Sequence, residues 1–375
     1  MGEWKRVKLG EVADLCLGKM LDAKKNKGEL RPYLNNVAVR WGGFDLNDLP
    51  EMRFEESEFE RYSTRRNDII ACEGGEPGRC AIWESDEPIF LQKALHRIRV
   101  HDGCNPRFVY YQFCHLVKSG ATQHLETGST IRHLPGQAIR EVELQLPDLP
   151  TQWRIAAILG ALDDKIEVNR KICENLEAQA QALFKAWFVD FEPFGGKRPE
   201  GWKMGKLGAL IEVCYGKDHK KRPDGNIPVY GSGGYMRSVD IPLYDKESVL
   251  IPRKGSLNNI LYVNEAFWTV DTMFYSKMRV PCVAKYVHQF LKTKDMEEMN
   301  VGSAVPSMTT DILNHMQVLI PDALSLSKFD TVVDALYSSV KQANRESRAL
   351  AAMRDALLPK LMSGELAVEK VEVKL

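Results

Sequence analysis

Basic side chains, gathered in two groups, are the residues of this sequence best suited to a defined chemistry. The members are Lys24, Lys25, Lys27 and Arg31 in the first group, and Lys217, Lys220, Lys221, Arg222, Arg253 and Lys254 in the second. Lysine and arginine side chains on one face of a protein can neutralise the phosphates of a nucleic acid. The alternative interpretation is an ordinary solvated loop surface.

Small polar side chains in the same halves of the chain could reach the edges of bases. These candidates are Asn26, Gln92, Thr130, Ser232, Asn258, Thr272 and Ser303, and Lys93 and Arg132 are further candidate cations. Together with the two basic groups they form the predicted set of residues that bind DNA or RNA. The set rests on polarity, charge and position in the chain.

The total charge weighs against a nucleic-acid partner, since the chain has 51 basic and 51 acidic residues. A nucleic-acid-binding domain is usually basic. Counted by segment, residues 1–150 hold 21 basic and 23 acidic residues, and residues 196–323 hold 17 and 14. The balanced total therefore contains local basic groups.

Self-comparison predicts that the chain is an internal repeat. The matching segments are 4–10 (WKRVKLG) with 202–208 (WKMGKLG), Gly18-Lys19 with Gly216-Lys217, and 128–131 (GSTI) with 302–305 (GSAV). The offset falls from 198 to 174 along the chain, which indicates shorter loops in the second copy. A basic run follows the first matching segment in both copies. This recurrence favours a nucleic-acid partner over a solvated surface.

Two long segments, residues 151–190 and 324–363, have few glycines and are rich in helix-forming residues. Apolar residues recur there at alternating steps of four and three, which is a heptad pattern. The predicted seam comprises Ile155, Leu159, Leu162, Ile166, Asn169, Leu176 and Leu183 in the first helix, and Phe329, Val333, Leu336, Val340, Leu350 and Leu357 in the second. Arg354 interrupts the second seam, so either the seam is not uniformly apolar or the register slips after Leu350.

An apolar stripe of this length must pack on something, and two copies in one chain favour pairing with each other. Antiparallel pairing would place the two globular halves at opposite ends of a rod. Asn169 would then help to fix the register of the pair, at some cost in stability. The alternative is two amphipathic helices, each packed on its own half.

No catalytic signature is convincing. The sequence has no phosphate-binding Gly-x-x-x-x-Gly-Lys-Ser/Thr loop and no Gly-x-Gly-x-x-Gly. Residues 105–108 (NPRF) come nearest to the Asn-Pro-Pro-Tyr/Phe signature of adenine methyltransferases but lack its second proline. A nuclease-like pattern of Pro147-Asp148 with Asp163 and Lys165 places its last two members on the heptad helix, where a solvated face is the simpler interpretation.

A metal site is not favoured by the cysteines and histidines. None of the eight cysteines forms a Cys-x-x-Cys pair. The nearest cluster is His101, Cys104, Cys114 and His115, and the last two follow an apolar stretch that is typical of a packed helix. Reduced, buried thiols are the simpler interpretation, and no metal ligand is predicted.

The predicted fold class is α+β, with two repeated α/β domains joined by two long helices that form an antiparallel coiled coil. The predicted segments are 1–150, the helix and its exit 151–195, the second domain 196–323, and the second helix and tail 324–375. No apolar run approaches the ~18 residues of a membrane span, and the first residues lack the apolar core of a secretory leader. A soluble cytoplasmic protein is therefore expected.

Three blocks of sequence resemble the specificity subunits of type I restriction-modification enzymes. They are residues 4–12 (WKRVKLGEV) with their second copy, 183–193 (LFKAWFVDFEP) and 357–366 (LLPKLMSGEL). The resemblance covers essentially the whole chain. It implies that 1–150 and 196–323 are target recognition domains, each reading half of a bipartite, asymmetric site in double-stranded DNA, with the helices setting the spacer.

The resemblance also implies no catalytic residue and no cofactor in this chain. Two methyltransferase (modification) subunits would bring S-adenosylmethionine, and restriction/translocase subunits would bring ATP and Mg. Two other functions remain open at this point. One is a divergent nuclease or methyltransferase, and the other is a protein-only adaptor that works through its coiled coil.

Overall fold

The computed structural model of the chain describes residues 4–22, 26–300 and 306–368. Short strands predominate in the first 146 residues, with a few helices between them. In chain order the elements are β1 (Lys5–Lys8), α1 (Leu9–Val12), β2 (Ala13–Leu17), β3 (Glu29–Leu34), β4 (Val39–Arg40), β5 (Gly43–Phe44), β6 (Glu51–Phe54), α2 (Glu56–Tyr62), β7 (Ile69–Cys72), β8 (Cys80–Ile82), β9 (Phe90–Leu91), β10 (Leu95–Val100), α3 (Pro106–Lys118), α4 (Gly136–Arg140) and β11 (Glu143–Leu146).

A long helix follows, then a second series of strands, and finally a second long helix. These elements are α5 (Leu149–Phe188), β12 (Lys203–Lys206), β13 (Ile211–Tyr215), β14 (Ile227–Gly231), β15 (Gly234–Val239), β16 (Ser248–Pro252), β17 (Leu261–Val263), β18 (Trp268–Thr269), β19 (Met273–Met278), α6 (Ala284–Lys292), α7 (Thr310–His315), β20 (Gln317–Ile320) and α8 (Ala323–Met362). Short 3₁₀ helices lie at Gln123–Leu125, Glu192–Phe194 and Leu207–Ala209.

The chain divides into two compact units. Unit 1 comprises residues 1–168 and 346–375, and unit 2 comprises residues 169–345. The division falls within both long helices, so each unit holds part of α5 and part of α8. No helix among the described residues is long and apolar enough to cross a membrane.

The two units share their sheet topology. Unit 1 has an antiparallel four-stranded sheet of order β2-β10-β7-β8, and unit 2 has one of order β13-β19-β16-β17. A three-stranded sheet accompanies each, of order β6-β3-β9 in unit 1 and β15-β14-β18 in unit 2. In both, the middle strand pairs in parallel with the last strand named.

The register of the two-stranded ladders matches the sequence repeat. In unit 1, β1 and β11 pair Lys5 with Leu146, and in unit 2, β12 and β20 pair Lys203 with Ile320. These partners are related by the offsets of 198 and 174 found in the sequence. The same local segments therefore build the same pairing twice.

Both long helices begin with the same capping contact. The Asp148 carboxylate accepts a hydrogen bond from the Thr151 N–H at 2.8 Å, and Asp322 accepts one from the Ser325 N–H at 2.9 Å. An acceptor at this position satisfies backbone donors that have no partner inside the helix. Each helix has 40 residues and is therefore about 60 Å long.

Within each unit the segments of α5 and α8 run antiparallel. In unit 1, Lys165 lies 3.6 Å from Glu346. In unit 2, the Asn169 side chain donates to the Ala343 carbonyl at 3.5 Å, and the Cys173 thiol contacts the Val340 carbonyl. The residue number of the contacted position on α8 therefore falls as the residue number along α5 rises.

The predicted seam residues are buried or partly buried. Those below 9% exposure are Ile155, Leu159, Leu162, Asn169, Phe329, Val333 and Leu350, and those of intermediate exposure are Ile166, Leu176, Leu183, Leu336, Val340 and Leu357. Near the end of α5, Phe184 and Phe188 are more deeply buried than Leu183, and the seam pattern had not selected them. Their rings lie against Tyr286 of α6, so the helix there packs on the globular part of unit 2 as well as on α8.

Arg354 keeps its place on the seam because it has a charged partner. Its Nη1 lies 2.6 Å from the Asp163 carboxylate, which also accepts a 2.6 Å hydrogen bond from the Tyr111 hydroxyl. Asp355 accepts further hydrogen bonds from the guanidinium. Of the two explanations for Arg354, the contacts favour a polar position within the seam, and they give Asp163 a structural partner in place of a nuclease role.

The core of unit 2 contains a buried histidine that should make its stability depend on pH. His288 is 5% exposed, and its Nδ1 lies 2.7 Å from the Tyr337 hydroxyl oxygen. Burial, helped by the nearby Lys292, lowers the pKa of His288 from 6.5 to about 3. The imidazole is thus neutral when folded, whereas the unfolded chain takes up a proton as the pH falls below 6.5.

We therefore expect the free energy of unfolding of unit 2 to fall by about 2 kcal/mol between pH 7 and pH 5 through this group. Urea denaturation at several pH values, followed by fluorescence, measures this dependence. His288→Gln should flatten it, because glutamine does not titrate in this range. Equal slopes in the wild type and His288→Gln would contradict the assignment.

Candidate nucleic-acid interface

In unit 2 the loops that carry the second basic group meet at one edge of the sheets. The Lys217 N–H donates to the Thr269 carbonyl at 2.8 Å, and the Arg253 N–H donates to the Thr272 carbonyl at 2.8 Å. The Met308 N–H donates to the Arg253 carbonyl at 2.9 Å. The loops after β13, β16 and β18 and the chain at 306–308 are therefore neighbours, and we call this set of loops the loop edge of unit 2.

Gly216 is required where the first of these loops crosses the end of β18. A Cβ at this position would lie 2.0 Å from the Val270 carbonyl oxygen and 2.7 Å from that of Met273. Gly18 occupies the equivalent place in unit 1, where a Cβ would lie 2.4 Å from the Gln92 carbonyl oxygen. The repeated Gly-Lys of the sequence thus marks a close backbone crossing in both units.

The cations of this loop edge have no carboxylate partner within 4 Å among the described residues. They are Lys217, Lys220, Lys221, Arg222, Arg253 and Lys254. The two arginines lie over aromatic rings, Arg222 at 5.2 Å from the Trp268 centroid and Arg253 at 5.4 Å from that of Tyr215. Stacking of this kind orients a guanidinium without neutralising it. These six side chains can therefore meet phosphates.

Polar candidates of unit 2 mostly support the loops. Asn258 accepts a hydrogen bond from the Met296 N–H at 2.8 Å through Oδ1, and its Nδ2 lies 3.4 Å from Asp295. The Thr272 carbonyl accepts from two backbone N–H groups, and the Ser232 carbonyl accepts from Asn259. Thr272 and Ser232 are partly buried.

Unit 1 has an equivalent loop edge with different side-chain pairing. The Lys19 N–H donates to the Leu91 carbonyl at 2.8 Å, as Lys217 does to Thr269. The Lys19 side chain is nevertheless buried, because its Nζ lies 2.5 Å from a Glu58 carboxylate oxygen and 2.9 Å from the Arg53 carbonyl. Despite the opposing effect of burial, this hydrogen bond and charge lower the pKa of Glu58. The equivalent of the exposed Lys217 is thus a structural residue.

The other candidates of unit 1 are divided between paired and free side chains. Arg31 is ion-paired with Glu29, and Arg132 lies 3.5 Å from Glu126. Asn26 and Gln92 use their side-chain oxygens to accept backbone N–H groups of their own unit. Lys27, Lys93 and Thr130 are exposed. Lys24, Lys25 and Ser303 lie outside the described residues.

Exposed apolar side chains that were not selected from the sequence lie in loops of unit 1 and on β13 and β15 of unit 2. They are Met20, Val37 and Ile131 in unit 1, and Tyr215, Tyr235 and Met236 in unit 2, with exposures between 48% and 66%. Apolar side chains at such edges can contact the methyl group of thymine or a base step. Except for Val37, each lies within three residues of a glycine, but apolar residues at such positions are equally typical of a buried core.

The residues weighed for metal binding and catalysis have other neighbours. The Cys114 Sγ lies 3.4 Å from that of Cys80 in the core, and His101 lies 3.2 Å from Asp14. Burial raises the pKa of the Cys80 thiol well above 9.0, which favours an unreactive thiol. Asn105 caps α3 by accepting from the Phe108 N–H at 2.9 Å. No group of three potential ligands is found in the part of the chain that the structure describes.

Comparison with known proteins identifies the family of this chain. The model of the type I restriction modification DNA specificity domain matches residues 1–178 and 199–331. The chain belongs to this family. It is a DNA-binding specificity subunit of a type I restriction-modification system, and such subunits recognise DNA and are not catalytic.

Two relatives cover most of this specificity subunit. It is 26% identical over 321 residues to the type I restriction enzyme MjaIX specificity subunit of Methanocaldococcus jannaschii, covering 76% of this chain and 74% of the relative. It is 21% identical to the HindI specificity subunit of Haemophilus influenzae, covering 98% of this chain and all of the relative. The crystal structure of the M. genitalium S subunit has a TM-score of 0.54 at 20% identity and covers 96% of each chain, so the mixed α/β fold is shared.

Proposed function

We propose that this specificity subunit reads a bipartite, asymmetric DNA site, with the loop edge of each unit contacting one half. The observation that carries the proposal is the construction of the same loop edge twice with different side chains. Equivalent backbone hydrogen bonds position Lys19 in unit 1 and Lys217 in unit 2, yet one side chain is buried and the other exposed. Two loop edges with the same backbone arrangement but different side chains are suited to reading two different half-sites.

We further propose that α5 and α8 set the length of the unspecified spacer between the half-sites. A helix of about 60 Å corresponds to roughly one and two-thirds turns of duplex at ~34–36 Å per turn. The contacts of Asn169 and Arg354 would fix the relative register of the two helices. A change in helix length should then change the spacer and leave the half-sites unaltered.

The chemistry of the complex would come from partner subunits. Two methyltransferase subunits would bind S-adenosylmethionine and methylate adenine, and restriction/translocase subunits would use ATP and Mg. The loop edges of this subunit would place the partner on its target base. Since the net charge is zero, the subunit alone should bind DNA weakly, and its partners should tighten binding.

The test is selection from a random-sequence duplex library by the subunit together with its methyltransferase partner. A bipartite motif supports the proposal, and the exchange of residues 196–323 for another such domain should alter one half-site only. No sequence preference, or a change in both halves, would contradict it. Methylation or cleavage by this chain alone would indicate an enzyme, and protein binding without DNA binding would indicate an adaptor.

Arg253 and Lys254 give a prediction at the level of single residues. Replacing both by alanine should weaken binding to any duplex and reduce the slope of log K against log[salt] by about 2, since each phosphate contact contributes about 0.9. Fluorescence anisotropy between low and moderate salt measures this slope. Lys203→Ala, on the β12–β20 ladder, is the matched control and should leave the slope unchanged. An unaltered slope in the double variant would remove the pair from the interface.

A further inference from the structure

The turn after β7 in unit 1 and the turn after β16 in unit 2 occupy equivalent positions. The Glu73 N–H donates to the Ala94 carbonyl, as Arg253 does to Thr272. The Glu73 carbonyl accepts from Leu134, as that of Arg253 accepts from Met308. Isolated bridges join Gly74 to His133 and Lys254 to Ser307. The backbone of this turn therefore has the same three attachments in both loop edges.

The charge of the turn is reversed between the units. Unit 2 presents Arg253 and Lys254, whereas unit 1 presents Glu73 and Glu76. Glu73 is partly buried 3.5 Å from the ring of His96. Glu76 is the more exposed of the two, with 51% of its side chain accessible. A carboxylate at this place repels phosphates, so the turn of unit 1 cannot act as its counterpart does in unit 2.

The Glu76 carboxylate is held in a fixed orientation. One oxygen accepts a 2.6 Å hydrogen bond from the Trp41 Nε1–H, and the other lies 3.2 Å from Nη1 of Arg79. Arg79 is itself held, since its Nη2 donates to the Asn36 carbonyl at 2.7 Å. A carboxylate oxygen has lone pairs for more than one donor, so the exposed side of Glu76 can accept another hydrogen bond. Its conformational entropy is already reduced by the protein.

We propose that Glu76 is a specificity-determining residue that accepts a hydrogen bond from the N4 amino group of a cytosine in the half-site read by unit 1. This inference rests on the proposed function and deepens it. In the major groove, cytosine presents only an amino donor. Adenine presents an amino donor beside the N7 acceptor, and guanine presents two acceptors. An acceptor-only side chain therefore suits cytosine best.

The experiment expresses the wild-type or the Glu76→Gln subunit in cells together with its methyltransferase partner. The methylated DNA motifs of the two cultures are then compared. We expect one C·G position in one half-site to lose its preference by about 10-fold, since a good base contact gives discrimination of this order. The other half-site should not change. Glu76→Ala should have the same effect, and thermal unfolding of both variants checks that unit 1 remains folded.

Glu87→Gln is the matched control, because Glu87 is an exposed glutamate in the turn at the opposite end of β8. It should leave the motif unaltered. The inference is overturned if Glu76→Gln leaves the motif unchanged, weakens all sequences equally, or alters the half-site that exchange of residues 196–323 also alters. A wild-type complex without any motif would instead refute the proposed function.

Discussion

Replacing Phe329 by alanine should lower the free energy of unfolding of unit 2 by about 3–5 kcal/mol. Phe329 is fully buried on α8, and its ring centroid lies 4.9 Å from that of Phe188 and 5.9 Å from that of Trp187. Removal of the ring would leave a cavity lined by rigid aromatic side chains, which cannot collapse to fill it. The lost free energy of unfolding includes the transfer free energy of the buried ring and the van der Waals contacts that neighbouring side chains make with it.

Urea denaturation of the full chain, followed by tryptophan fluorescence, measures this effect, because Trp187 and Trp202 belong to the same core. Val332→Ala is the matched control, since Val332 lies on the same helix but is 47% exposed. It should change stability by less than about 1 kcal/mol. Similar losses in the two variants would mean that this part of α8 is not packed on unit 2.

Replacing Gly216 by alanine should destabilise unit 2 by about 1–3 kcal/mol and also weaken DNA binding. The added Cβ would lie 2.0 Å from the Val270 carbonyl oxygen, and backbone cannot yield as a flexible side chain can. The chain must move away from β18, which breaks the hydrogen bond between Lys217 N–H and Thr269. The cations that follow Gly216 would then lose their common position.

Gly233→Ala separates this effect from the general cost of adding a methyl group. Gly233 lies in the β14–β15 turn of the same unit, and a Cβ there meets nothing within 4 Å. Thermal unfolding and DNA titration of both variants give the comparison. Normal stability and affinity in Gly216→Ala would show that the backbones do not cross closely at this position. Equal losses in both variants would show that the close crossing does not cause the loss of stability and affinity.

Features that depend on residues close together in the sequence were the easiest to predict. The heptad spacing selected Leu159 and Val333, which are fully buried, because helix periodicity is a local property. The family motifs identified a specificity subunit. Phe184 and Phe188 escaped the pattern because a helix that packs on two bodies has a wider apolar face than a seam.

The candidate interface was harder to predict from the sequence, because a run of charged residues does not reveal which of its charges are neutralised by ion pairs. Lys19 and Lys217 have the same local sequence, yet Glu58 buries the first and no carboxylate within 4 Å among the described residues meets the second. Glu76 drew no attention as an acidic residue in a glycine-rich turn. The role proposed for it rests on its hydrogen bond from Trp41, 35 residues earlier in the chain.

The sequence by itself determined the repeat, the two long helices and the family, because periodicity and motif depend on residues close together in the chain. Tertiary structure alone decided which loop-edge cations have a carboxylate partner among the described residues and which have none. It also decided that Arg354 finds Asp163, 191 residues away. Such pairings follow from distances in space, and the folded backbone sets those distances.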